Sequence, residues 1–181
     1  MSQRQANSQL LYQGSHLTMR AKDTWEYASR AGASGVVGIV AVTPENRLLL
    51  VEQYRPPVAR RVIELPAGLA GDFAEARGES LELAAARELR EETGYEPAKL
   101  RLLSVGPSSA GLTDETVALF VASNLRKVSD GGGDESEQIT VHEVPLNEVA
   151  AWLAGKVKLG QLVDFKVFAG LWFLQQSNWI E

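Results

Sequence analysis

Three glutamates define the chemistry open to this chain. Glu88, Glu91 and Glu92 stand in the run Arg87-Glu88-Leu89-Arg90-Glu91-Glu92-Thr93-Gly94-Tyr95. On a helix, spacings of i, i+3 and i+4 bring their carboxylates out from one face. Like charges so placed repel, and a solvated helix would intersperse lysines among them. A divalent cation accounts for the arrangement. Magnesium takes oxygen ligands, keeps several waters and bridges carboxylates to substrate phosphates, and manganese is the natural substitute. Arg87 lies four residues before Glu91, within reach of an ion pair, and Glu79 precedes the run by eight positions.

The elements that must position these acids follow from local signals. Ser80 is a good N-cap, Glu82 suits a first turn and Gly94 a C′ position, which predicts a helix over 81–93. Leu83, Ala86 and Leu89 are expected on its core side, with the acids outside. Apolar runs at 36–42 and 47–53, joined by Thr43-Pro44-Glu45-Asn46, predict an antiparallel hairpin. Further strands are expected at 61–65, 100–105, 116–122 and 139–144, with extended or hairpin-like structure over 17–30. Residues 1–15 are polar and expected to be loosely ordered. Helices are predicted over 146–154 and 164–176. On the last, Phe165, Phe168, Leu171, Trp172 and Leu174 read as core or dimer packing. Ser129-Asp130-Gly131-Gly132-Gly133-Asp134 reads as a plain loop, because no Lys-Ser/Thr helix start follows it. Strands mixed with a few helices suit an α/β fold, an α/β/α sandwich around a mixed sheet. The natural division is an N-terminal segment, 1–35, followed by one domain, 36–181.

Composition narrows the function classes. The 181 residues, 45% hydrophobic and 23% charged, fit one domain with a substantial core. A net charge of −5 disfavours nucleic acid as a partner. Bound metal would still allow a phosphate substrate by reversing the local field. With no cysteine, disulfides and thiolate chemistry are excluded. No apolar leader is evident at the start, and no run is long enough to span a membrane, so a cytoplasmic location is expected. His16 and His142 lack metal-ligand spacing.

The acidic run resembles the Nudix hydrolase signature: Gly, five residues, Glu, seven residues, then Arg-Glu-apolar-any-Glu-Glu-any-Gly-apolar. Glu79, Arg87, Glu88, Leu89, Glu91, Glu92, Gly94 and Tyr95 match its second part. Gly68 lies eleven residues before Glu79 instead of six, so five extra residues fall between Leu69 and Gly78. Outside the signature, Glu52-Gln53-Tyr54-Arg55-Pro56-Pro57, Ile63-Glu64-Leu65-Pro66-Ala67-Gly68 and Ala110-Gly111-Leu112-Thr113-Asp114-Glu115 resemble the branch that cleaves ADP-ribose and nucleoside diphosphate sugars.

The resemblance implies a ligand set of the Ala67 carbonyl, Glu88 and Glu92, joined by Glu91, which is also counted with the catalytic groups. It implies that Arg87 orients carboxylates. It makes Glu115 the general base, with Asp114 the neighbouring competitor, and gives Arg55 the substrate phosphates. Glu64 is expected either to anchor substrate or to pair with Arg60 or Arg61. Glu79 is expected to be structural or to act outside the ligand shell. An aromatic in a polar stretch suits base stacking. Trp25, with Glu26 and Arg30, is therefore the expected base-binding segment, and the resemblance implies that it acts across a homodimer. The implied reaction is magnesium-dependent hydrolysis of a nucleoside diphosphate sugar. The alternatives are a nucleoside triphosphate or coenzyme A as substrate, or a non-catalytic sensing domain.

Overall fold

The computed structural model describes residues 8–71, 78–133 and 138–176. Most of the five-residue extension and part of the acidic loop after Gly133 therefore lie outside the described residues. Three strands, β1 (Gln9–Gln13), β2 (Leu17–Lys22) and β3 (Trp25–Arg30), form a small antiparallel sheet in that order. The region expected to be loose up to residue 15 thus includes a paired strand, with Gln9 facing Ala21 and Tyr12 facing Met19.

The rest of the chain builds two four-stranded sheets and three helices. One sheet has the order β7 (Ala67–Ala70), β4 (Gly35–Ala41), β9 (Thr116–Lys127), β8 (Tyr95–Pro107). The other runs β10 (Thr140–Pro145), β5 (Arg47–Arg55), β6 (Arg60–Glu64), β11 (Leu162–Val163). Each contains one parallel pair, β4 with β9 and β11 with β6. Helices α1 (Leu81–Thr93), α2 (Val149–Lys158) and α3 (Phe165–Gln175) cover them. Along β4, Val37, Ile39 and Ala41 point to the core containing Ala84, Ala85 and Leu89 of α1. Val40 points to the core shared with Leu153 of α2 and Val167 of α3. This alternation puts helices on both faces of β4, as the α/β/α sandwich requires.

Several local expectations change. Residues 36–42 and 47–53 do not form a hairpin. The chain does turn at Thr43–Asn46, where the Thr43 amide donates to Arg47 at 2.8 Å, but only Val42 and Leu48 bridge. Beyond that point β4 and β5 enter different sheets. Both strands are apolar on both faces, so each becomes an interior strand of its own sheet, not half of a surface ribbon. On α1 the caps are as expected: Ser80 Oγ accepts from the Leu83 amide, and Gly94 has φ 77°. The buried stripe is Ala84, Ala85, Leu89, Glu92 and Thr93, while Leu83 is 64% exposed. On α3, Leu171 and Leu174 pack inward, but Phe165, Phe168 and Trp172 are exposed, so these three rings are not core.

A charged cluster ties β5, β6, β10 and α2 together. Glu52 accepts from Arg61 Nε at 2.8 Å and from Gln161 Nε2 at 3.0 Å, with His142 Nε2 at 2.9 Å and Lys156 Nζ at 3.6 Å. Burial alone would raise its pKa. His142, Arg61 and Lys156 outweigh that and hold it at about 2, against 4.5 for a free carboxyl. Because the folded value lies below the unfolded one, the stabilisation is full above about pH 4.5 and is lost as pH falls toward 2. Thermal melts should therefore show wild type and Glu52→Gln converging as the medium is acidified through that window. A gap that stays constant with pH would contradict this.

Candidate active site

The acidic face of α1 closes one end of a cleft of about 1020 Å³ between the two sheets. Glu88, Glu91, Glu92, Ala67, Glu64, Arg55, Arg30 and Glu115 all border it, so eight of the ten expected site residues meet in one place. Trp25 and Glu26 do not border it. They begin β3, whereas Arg30 ends it, and five residues of strand at about 3.3 Å each put Trp25 roughly 16 Å from Arg30. Trp25 is 62% exposed.

Arg87 organises the acids. Its Nε donates to Glu79 at 3.1 Å, one terminal nitrogen to Glu88 at 2.8 Å and Glu91 at 3.0 Å, and the other to the Leu69 carbonyl at 2.8 Å. Burial alone would lower the pKa of this guanidinium. The hydrogen bond to Glu79 and the charges of Glu88 and Glu91 raise it instead, so it stays protonated at any working pH. Glu79 is thereby placed: it fastens Arg87 from behind. A lone surface pair would contribute little; a guanidinium only 16% exposed that binds three carboxylates fixes the loop and helix together.

The strand-to-strand turn at Pro66 and Ala67 meets the helix closely. The Ala67 amide donates to Glu92 Oε2 at 3.0 Å, and Glu92 is 3% exposed. At Gly68 the fit is tighter still, since a Cβ there would lie 1.9 Å from Glu88 Cδ. Glycine is required for this approach. We expect Gly68→Ala to fold, because a flexible side chain yields more readily than backbone. The displaced Glu88 should weaken metal binding by about 10- to 100-fold, the cost typical of disturbing a ligand's support. Titration of Mg²⁺ or Mn²⁺ into the variant checks it; wild-type affinity would contradict it.

The glycine-rich loop is more than a connector. Gly132 and Gly133 amides donate to the Glu92 and Glu91 carbonyls at 2.8 and 3.1 Å, satisfying carbonyls that the helix end leaves open. A Cβ on Gly131 would lie 2.4 Å from the Thr93 carbonyl carbon. Gly131, Gly132 and Gly133 all have positive φ, a need that three consecutive glycines could have signalled. Gly133 also borders the cleft.

Two pairs line the remaining wall. Arg55 donates through Nε to both Glu64 oxygens, at 3.2 and 3.0 Å. Glu64 therefore pairs with Arg55, not with Arg60 or Arg61; Arg61 reaches Glu52 and Arg60 the Gly160 carbonyl. Register excludes Arg61, which points to the opposite face of the β5–β6 ladder; Arg55 and Arg60 both share Glu64's face, and Arg60 turns to Gly160 instead. Arg30 holds Glu115, with Nε and a terminal nitrogen at 2.8 and 2.7 Å. Asp114 is occupied elsewhere: its carboxylate accepts from Ser29 Oγ at 2.9 Å, and its amide donates to the Ala28 carbonyl. Of the two neighbours, Glu115 borders the cleft. Asp164, Phe165 and Lys166, at the start of α3, also border it, and no motif in the sequence marked them.

As arranged here, no three Asp, Glu, His or Cys side chains among the described residues are gathered closely enough to hold one ion. The donor chemistry nonetheless fits a hard divalent cation: carboxylates and a backbone carbonyl, with no nitrogen or sulfur ligand.

The NUDIX domain family matches residues 34–163. Over 142 residues, 78% of this chain, the protein is 35% identical to the methanol dehydrogenase activator of Bacillus methanolicus, covering 72% of it. It is 34% identical, with the same coverage of each chain, to the ADP-ribose pyrophosphatase of Bacillus subtilis (strain 168). The ADP-sugar pyrophosphatase of Mus musculus is 32% identical over 167 residues, 87% of this chain and 73% of that one. Among solved structures, an ADP compounds hydrolase superposes with TM-score 0.63 at 21% identity, covering 81% of both chains, a likeness of fold. With the signature acids on one helix and a domain match over most of the chain, this protein belongs to the Nudix family.

Proposed function

We propose that the protein hydrolyses the diphosphate of a nucleoside diphosphate sugar, ADP-ribose or an ADP-sugar first, giving a nucleoside monophosphate and a sugar phosphate. What carries this reading is one cleft in which the acidic helix face, the Ala67–Gly68 step and two arginines converge. Relatives named for ADP-ribose and ADP-sugar hydrolysis support it. The Ala67 carbonyl, Glu88, Glu91 and Glu92 would hold magnesium, with manganese as substitute. When bound, the cation polarises phosphate oxygens and lowers the pKa of a coordinated water.

The chain's own residues do the rest. Arg55 and Arg30 grip the diphosphate oxygens, a task that planar guanidinium groups suit, and Glu64 holds Arg55 in place. Glu115 takes the proton of the attacking water. Arg87 keeps the acids aligned from behind and does not touch substrate. The test is a panel of ADP-, GDP- and UDP-linked sugars beside nucleoside triphosphates and coenzyme A. Faster turnover of a triphosphate or of coenzyme A would move the substrate assignment. No turnover of any would favour a sensing or activating role, as the name of the Bacillus methanolicus relative suggests for that protein.

Trp25 belongs to the same proposal through a second copy of the chain. It does not border its own cleft, so the N-terminal segment, 1–35, would deliver it and Glu26 to the cleft of a partner in a homodimer. Trp25→Ala should then raise KM with a smaller effect on kcat, because stacking is alike in ground and transition states. About 1–3 kcal/mol is the scale for a lost aromatic stack. Kinetics with light scattering checks it, and an unchanged KM would remove Trp25 from the substrate site. Among the described residues no helix is long and apolar enough to cross a membrane. A cytoplasmic setting suits a chain without cysteine.

A further inference from the structure

The cleft shares a wall with a second, smaller cavity. This one has a volume of about 330 Å³, at the lower end of the range for ligand sites, roughly 300–1,000 Å³. It lies between β8, β9 and the start of α3, with Ser104 and Ser108 in its lining. Asp164, Phe165 and Lys166 border both spaces. Phe165 is 87% exposed and is the one aromatic side chain among the described residues bordering the cleft.

Its backbone is firmly held. The Asp164 amide donates to the Ile63 carbonyl at 2.9 Å. The Asp164 carboxylate accepts from the Lys166 amide at 2.7 Å and from Lys166 Nζ at 2.7 Å. Val167, two residues on, is fully buried. A rigid turn therefore presents an open aromatic ring flanked by a carboxylate and an ammonium. Both retain hydrogen-bonding capacity, since each carboxylate oxygen has a second lone pair and the ammonium has further donors.

We propose that this turn is the sugar subsite, an inference that rests on the reaction proposed above and deepens it. With Arg30 and Arg55 assigned to the diphosphate, Phe165 offers a surface to one of the substrate's two outer groups. A sugar ring has an apolar C–H face and a rim of hydroxyls. It calls for an aromatic plate beside charged donors and acceptors, which is the trio present. Phe165 lies against the C–H face, and Asp164 and Lys166 bind hydroxyls.

Calorimetric titration of the full chain with ribose 5-phosphate and, separately, AMP in the presence of Mg²⁺ tests this without relying on turnover. Phe165→Ala should weaken ribose 5-phosphate binding roughly tenfold, the scale of losing one good pocket contact, and leave AMP binding unchanged. Phe165→Tyr should restore it. Weaker AMP binding with unchanged ribose 5-phosphate binding would make Phe165 a base platform and overturn the proposal. Equal losses for both probes, or a fall in assembly mass by light scattering, would overturn it too. If wild type hydrolyses nucleoside diphosphate sugars while Phe165→Ala binds ribose 5-phosphate normally, the subsite alone fails. If wild type hydrolyses none, the reaction fails with it.

Discussion

Glu92→Gln is expected to lower turnover by at least about 100-fold, the upper range for disturbing even the outer support of a metal, while the protein still folds. Glu92 is almost fully buried beside the cleft, and its carboxylate accepts from the Ala67 amide. Glutamine keeps an oxygen for that hydrogen bond, so the loop stays in place. It cannot supply the negative charge on which the proposed cation depends. Turnover across a Mg²⁺ series and thermal unfolding should be measured on the same preparation. Wild-type turnover at saturating Mg²⁺ would remove Glu92 from the ligand set. Loss of folding would mean that the buried carboxylate serves the fold and not the cation.

Glu115→Gln should lower kcat by about 10²–10⁴, the range for losing a general base, with KM little changed. Asp114→Asn is the comparison. Asp114 faces Ser29 and an amide replaces it there with a modest loss, so its effect should be much smaller. The pairing of Glu115 with Arg30 supplies the competing outcome. If Glu115→Gln raised KM and spared kcat, the residue would serve to hold Arg30 against the diphosphate and the base would lie elsewhere. A greater loss in Asp114→Asn would exchange the two assignments.

The acidic helix was legible because its signals are local: a serine cap, a glycine end and a charge spacing that only a helix turns into one face. The burial of Glu92 was not, because the face it shares with Glu88 is decided by where β7 lies against α1. That in turn depends on Gly68 making room for a carboxylate. The separation of β4 and β5 into two sheets was hidden for a related reason. A strand buried on both faces carries no alternation to show which neighbour it pairs with. β8 begins at Tyr95, five residues before its apolar run, because pairing with β9 carries it through Glu96, Pro97 and Lys99. Glu64 and Arg55 were both expected in the site, yet their pairing needs β5 and β6 side by side with Arg60 turned away, which the chain states only once folded. Asp164, Phe165 and Lys166 come from the far end of the sequence and belong to no motif; the packing of α3 brings them to the cleft.

The proposed reaction cleaves the bond between two phosphates in a cleft that would hold a divalent cation. Incubating the protein with ADP-ribose and Mg²⁺, and weighing the products by mass spectrometry, tests it most directly. AMP and ribose 5-phosphate are expected in equal amounts, abolished by chelation and cut at least about 100-fold by Glu92→Gln. Release of ADP or inorganic phosphate, or turnover that survives both treatments, would contradict it.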